Sequence, residues 1–124
     1  MDRRQSLGAL GEALACRELE RRGYIILDRR FRTRCGEIDI VARDGGVLVF
    51  VEVRTRSSGS FGTPFESVNW KKQQRLCRMA ASYLFLRRVA DVACRFDVVA
   101  VVEHSGRRTI ELVKGAFDMQ QFQR

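Results

Sequence analysis

The sequence predicts an α/β domain, a mixed sheet flanked by helices in the order αβββαβ with one further strand at the end. Three observations carry that expectation. Residues 7–22 hold Leu7, Leu10 and Leu14 with Ala and Cys at helical spacing. Three runs rich in β-branched and aromatic residues follow from Tyr24. A second helical stripe then precedes two more such runs.

The first helix has Ser6 as a candidate cap and Gly23 as its stop. The next three segments, "YIILDRRFRT" from Tyr24, "GEIDIVAR" from Gly36 and "VLVFVEVRT" from Val47, read as strands in a meander. "SSGSFGTPFE" at 57–66 has the Gly, Ser and Pro of a loop. Beyond it Val68, Leu76, Met79, Tyr83 and Leu86 share one stripe of a helix reaching to about Arg88. "CRFDVVAVV" and "RTIELV" are the last strands, joined around Ser105 and Gly106.

A chain of 124 residues, 45% hydrophobic and 31% charged, fits one domain over 1–124, with flexible tails expected at 1–6 and 115–124. Cys16, Cys35, Cys77 and Cys94 show no Cys-x-x-Cys or paired Cys/His spacing, which argues against zinc and for free thiols in a cytoplasmic protein. No stretch is apolar enough to predict a membrane span. Lys and Arg number 23 against 15 acids, a net charge of +8. Only Lys71, Lys72 and Lys114 are lysines. Arg forks match phosphate oxygens, so the balance favours nucleic acid, with a merely basic surface as the other reading.

"VFVEVR" at 49–54 puts Glu52 and Arg54 inside an otherwise apolar strand, where an unpaired charge is costly. With Gly45 and Gly46 as a two-residue turn, Asp44 pairs with Val47, Asp39 falls opposite Glu52 and Glu37 opposite Arg54, all on one face. A turn at Asp44 and Gly45 instead sets Glu37 against Glu52 and keeps the shared face. Two opposed carboxylates are destabilising unless a cation lies between them. Asp39 and Glu52 therefore read as a site for Mg²⁺ or Mn²⁺, or else as carboxylates neutralised by nearby arginines.

Glu12 borders the stripe of the first helix that should face the sheet, where it can reach the same pocket or simply favour the helix dipole. Lys72 lies in line with Val68 and Leu76, so its ammonium can enter the site or snorkel to water, while Lys71 turns away. His104 reads as a surface residue. Asp97 shares a face with Arg95 as a structural or phosphate-facing pair.

"GE" at 11–12, "GEIDIVARD" at 36–44, "VFVEVRTR" at 49–56, "FGTPFESV" at 61–68, Lys72 and "CRFDVVAV" at 94–101 together resemble the YraN family of bacterial proteins over nearly the whole chain. That family resembles the restriction-endonuclease and Holliday-junction-resolvase superfamily, whose αβββαβ core carries an Asp...Glu-x-Lys signature. The resemblance implies a restriction-endonuclease-like fold with Asp39 and Glu52 as metal ligands and Glu12 as the helix-borne acid. Arg54 occupies the Lys position. Arg cannot shed its proton, which makes Lys72 the candidate replacement.

The expected function is a Mg²⁺- or Mn²⁺-dependent endonuclease or resolvase-like protein hydrolysing DNA, branched or single-stranded. Its working residues are Glu12, Asp39, Glu52, Arg54 and Lys72, and Arg56, Lys71, Arg75 and Arg78 contact the nucleic acid. Arg29, Arg30, Arg32 and Arg34 extend this set into a basic rim. The alternative is a non-catalytic nucleic-acid-binding module on a degenerate nuclease fold. No membrane partner is expected, and a homodimer is an open expectation.

Overall fold

The computed structural model describes residues 3–57 and 69–117, with side chains from Gly8 onward and excepting Ser57. Among these the chain forms α1 (Arg3–Arg21), β1 (Ile25–Thr33), β2 (Gly36–Asp44), β3 (Val47–Ser57), α2 (Trp70–Leu86), β4 (Ala93–His104) and β5 (Arg107–Val113). The strands make one sheet in the order β1-β2-β3-β4-β5. Every pairing is antiparallel except β3 with β4, which the α2 crossover makes parallel. This is the mixed αβββαβ architecture that the sequence predicts, extended by β5.

The helices cover opposite faces. Ala15, Cys16 and Leu19 of α1 pack on Ile40, Ala42, Val49, Val51, Val99 and Val101. Leu76, Met79, Ala80 and Tyr83 of α2 pack on Ile38, Val41, Leu48, Phe50 and Phe96. The centre of β3 is thus buried on both sides, which is why it reads as an unbroken apolar run. Phe50 is fully enclosed, and truncating such a residue to Ala typically costs about 3–5 kcal/mol.

Local signals set the helix ends. Gly23, at φ 92°, closes α1. The Tyr24 N–H reaches the Leu19 carbonyl at 2.9 Å and the Gly23 N–H reaches Glu20 at 3.0 Å, the paired bonds of a Schellman cap. Asn69 caps α2, its side chain accepting from the Lys72 N–H at 2.9 Å. Ser105 and Gly106, both at positive φ, turn β4 into β5.

Several details depart from the sequence expectation. Helix α1 begins at Arg3, inside the stretch expected as a tail. Gly115 donates to Asp97 at 3.0 Å, Ala116 donates to Phe96 at 2.8 Å and Phe117 stacks on Phe96, so the expected C-terminal tail is anchored as far as Phe117. Leu10 and Leu86 are exposed rather than core, because the stripes that reach the sheet run through Ala15 and Leu19 and through Leu76, Met79 and Tyr83. The loop expected at 57–66, beyond Ser57, and the stripe position Val68 lie outside the described residues. Among the described residues no helix is long and apolar enough to cross a membrane. Cys16, Cys35, Cys77 and Cys94 are free.

Candidate functional site

The hairpin register is the one the Gly45-Gly46 turn dictates, with Asp44 opposite Val47 and the ladder running to Ile40 opposite Val51. There it stops. The Asp39 carboxylate takes over as acceptor for the Val53 N–H at 2.7 Å. Strand β2 stays with β1 through Ile38 and Glu37, while β3 stays with β4 through Glu52, Val53 and Arg54, so the sheet is divided at this level. The cross-strand pairs Asp39 with Glu52 and Glu37 with Arg54, extrapolated from the register, are therefore not formed. Continuing the ladder would oppose two carboxylates directly, whereas the division replaces that repulsion with a carboxylate-to-amide bond.

The same level breaks side-chain alternation in β2 and in its other neighbour β1. Ile38 and Val41, three apart, both face α2, and so do Asp28 and Phe31 on β1. The rungs Arg29 with Ile40 and Phe31 with Ile38 flank a skipped rung, Arg30 with Asp39. Arg30 has φ 52°, a left-handed conformation that costs a non-glycine residue roughly 1–2 kcal/mol. Its guanidinium pairs with Glu12 of α1. One oxygen each from Glu12, Glu37 and Asp39 consequently lie within 4.8 Å of one another.

Gly11 lets Glu12 come this close. A Cβ at position 11 would stand 2.3 Å from Thr55 Oγ1, so only a glycine allows α1 to rest on β3 there without displacing Thr55.

On the α2 side, Glu52 is held by two cations. Lys72 Nζ lies 2.6 Å from Oε1 and an Arg54 terminal nitrogen lies 3.1 Å from Oε2. The Arg54 side chain is only 7% exposed. Asp39 and Glu52 line one small cavity of about 70 Å³ with Glu37, Arg75, Leu76 and Met79. Burial, and secondarily the charges of Glu12, Glu52 and Glu37, push the Asp39 carboxyl up to about 6, against the pull of the Val53 bond.

The basic residues divide by position. Lys71, Lys72 and Arg75 line an open hollow with Asn69 at the start of α2, and Arg75 also borders the acidic cavity. Positive charge in a first helical turn opposes the helix dipole by about 0.3–1 kcal/mol per group; the first turn of α2 holds no acidic residue, and Lys72 is offset instead by Glu52 of β3. Arg78 lies further along, with Gln74, Cys77 and Ala81. Arg56 is half-buried near the end of β3, and Arg29, Arg30, Arg32 and Arg34 are exposed. His104 is on the surface as expected. Asp97 faces no solvent: it is fully buried, accepting from Tyr24 at 2.7 Å, from Arg95 at 2.8 Å and from the Gly115 N–H, so of its two readings the structural one holds.

Glu37 joins the site without having been assigned to it from sequence, and Arg30, expected only as one of the rim arginines, joins it as the partner of Glu12. Glu37 had a signal, since it stands two residues before Asp39 in a strand. Arg30 had none, because its positive φ belongs to the irregular rung and leaves no mark on local composition.

Fold and site together define a small α/β domain whose central hairpin divides around a partly buried carboxylate cluster beside a basic helix start. The chain belongs to UPF0102, described as an uncharacterised protein family and corresponding to the YraN resemblance; the family match spans residues 11–101, from Gly11 beside Glu12 to the middle of β4. It is similar to the UPF0102 protein of Moorella thermoacetica, 53% identical over 116 residues, 92% of this chain and 97% of that one. It is also similar to those of Anaeromyxobacter dehalogenans, 50% identical over 94% of this chain and 87% of that one, and Geobacter metallireducens, 46% identical over 93% and 94%.

Proposed function

We propose that this protein is a metal-dependent endonuclease or resolvase-like protein that hydrolyses phosphodiester bonds in branched or single-stranded DNA. One observation carries the reading: Glu12, Glu37 and Asp39 bring carboxylate oxygens together, Glu37 and Asp39 line a small cavity with the Lys72-paired Glu52, and Arg75 joins that cavity to a basic hollow. Oxygen donors gathered this closely suit a hard divalent cation, and the Asp39 carboxyl, raised first by burial and then by the neighbouring Glu12, Glu52 and Glu37 charges, is a group whose charged form a cation would favour. Asp39, Glu12 and Glu37 would hold it, with Glu52 across the cavity. Mg²⁺ or Mn²⁺ supplies Lewis-acid stabilisation of a phosphate and a more acidic water.

The chain's own groups do the rest. Lys72 presents an ammonium able to donate to a phosphate oxygen, held at the notch by Glu52. Arg54 supplies fixed charge that orients Glu52. Arg56, Lys71, Arg75 and Arg78 receive the DNA backbone. Such a protein would work in the cytoplasm, with no membrane partner, and a homodimer would set two notches on one duplex.

A second reading also has an observation of its own. Both Glu52 oxygens are occupied by cations from within the chain, as suits a nuclease fold that binds nucleic acid without turnover. Incubation with single strands, flaps and four-way junctions in Mg²⁺ or Mn²⁺ separates the two. Cleavage that disappears in a folded Asp39→Ala variant supports the nuclease. Binding without cleavage under either metal supports the module, and cleavage unaffected by Asp39→Ala would remove the site assignment.

A further inference from the structure

Arg30 combines three features at one position. It occupies the left-handed region at φ 52°. It forms the ion pair to Glu12 that reaches the cluster from β1. It is also 53% exposed, while Glu12 is only 16% exposed. A pair so open to water adds little stability by itself. Asn or Gly would hold the same backbone with no charge and less strain.

We propose that Arg30 is the internal counter-ion of the carboxylate cluster, holding Glu12 until a divalent cation takes its place, so that it sets the cation concentration at which the site fills. The proposal rests on the metal reading above. The asymmetry in exposure gives the mechanism. Arg30 can swing into solvent at little cost, whereas Glu12 stays beside Glu37 and Asp39 and then needs another positive charge. Arg32 is a poor substitute: it is 90% exposed and reaches only Glu37, at 3.5 Å.

The test is Mn²⁺ titration of the full chain, reading free Mn²⁺ by electron paramagnetic resonance, for wild type, Arg30→Asn, Arg30→Gly, Arg30→Lys and Asp39→Asn. Asn and Gly both accept the left-handed backbone, so both variants keep the fold. They should bind Mn²⁺ roughly two- to fivefold more tightly than wild type, the range expected for removing one exposed ion-pair competitor. Arg30→Lys, which keeps the charge, should stay near wild type, and Asp39→Asn should lose the site. Equal or weaker binding in Arg30→Asn, with binding still lost in Asp39→Asn, overturns the counter-ion role and leaves the metal site standing. Titrations indifferent to Asp39→Asn in every case overturn the site and the competition together.

Discussion

Lys72 Nζ lies 2.6 Å from Glu52 Oε1, joining the first turn of α2 to the strand β3 that precedes it in the chain. The contact brings a lysine to the notch although Arg54 occupies the position two residues after Glu52. Lys72→Met should lower the single-turnover DNA cleavage rate about 10²-fold or more, the effect of removing one charge-stabilising donor. Lys71 should not compensate, since it is exposed on another side of the turn. Lys72→Arg refines the role: retained cleavage means fixed charge suffices, and lost cleavage means the proton matters. Wild-type rates in Lys72→Met would exclude Lys72 from the chemistry.

Asp39 makes stability depend on pH in a definite direction. Its carboxyl is raised from the ordinary 3.8 to about 6, so folding favours the protonated form. Its contribution is fully present below about pH 4 and is lost as pH rises through about 6, by up to about 3 kcal/mol. Asp39→Asn removes that dependence. Urea unfolding should find the variant and wild type similar near pH 4, and the variant more stable above pH 6 in metal-free buffer. A constant difference across that window would mean that Arg30 and Lys72, rather than only pairing Glu12 and Glu52, balance the Asp39 charge against Glu12, Glu37 and Glu52 after all.

Gly11 poses a contest between two effects. Gly→Ala in a helix interior ordinarily adds up to about 1 kcal/mol, but the new methyl would meet Thr55 Oγ1 at 2.3 Å. Overpacking of this kind costs about 1–3 kcal/mol, so Gly11→Ala should be destabilising on balance. Thr55→Ala in the same chain should reverse the sign and leave the helix-propensity gain. A thermal-melt double-mutant cycle with no coupling would show that α1 does not rest on Thr55.

The basic surface is checked by salt dependence. Arg75→Ala should weaken DNA binding and flatten the slope of log affinity against log salt by about 0.9 on duplex, or about 0.7 on single strands. Arg78→Ala should act in the same direction but less strongly, being further from the acidic cavity. Base sequence should matter little, since phosphate contacts position without reading. An unchanged slope in both would take these arginines off the DNA path.

Asp97 tests the neighbouring strand β4, where it pairs with Val51 and its buried carboxylate gathers Tyr24, Arg95 and the Gly115 amide. Tyr24→Phe should cost about 1–3 kcal/mol through the lost partner. Asp97→Ala should cost about 1–3 kcal/mol or more, because Tyr24 and the Gly115 amide lose their buried acceptor while Arg95 keeps only Asp44. DNA binding by the folded fraction should be unaffected. A binding defect at full folding would give Asp97 the phosphate-facing role instead.

The sequence by itself determined the elements, the Gly23 stop, the shared face of β2 and β3 and the alignment of Lys72 with the α2 stripe, because each follows from local periodicity or from one turn; the structure chose between the two registers the turn allowed. Whether Glu12 reaches the sheet could not be settled that way, since a helix face does not say how closely the helix approaches; Gly11 against Thr55 settles it. Only the tertiary structure decided that the ladder ends at Ile40 and Val51, that Asp39 bonds the Val53 amide, that Arg30 turns left-handed and that Glu37 joins the cluster. The physical reason is that β2 and β3 each have a second strand to follow, β1 on one side and the parallel β4 on the other. Where those partners draw them apart, carboxylates that strand alternation would set in rows are gathered into one notch.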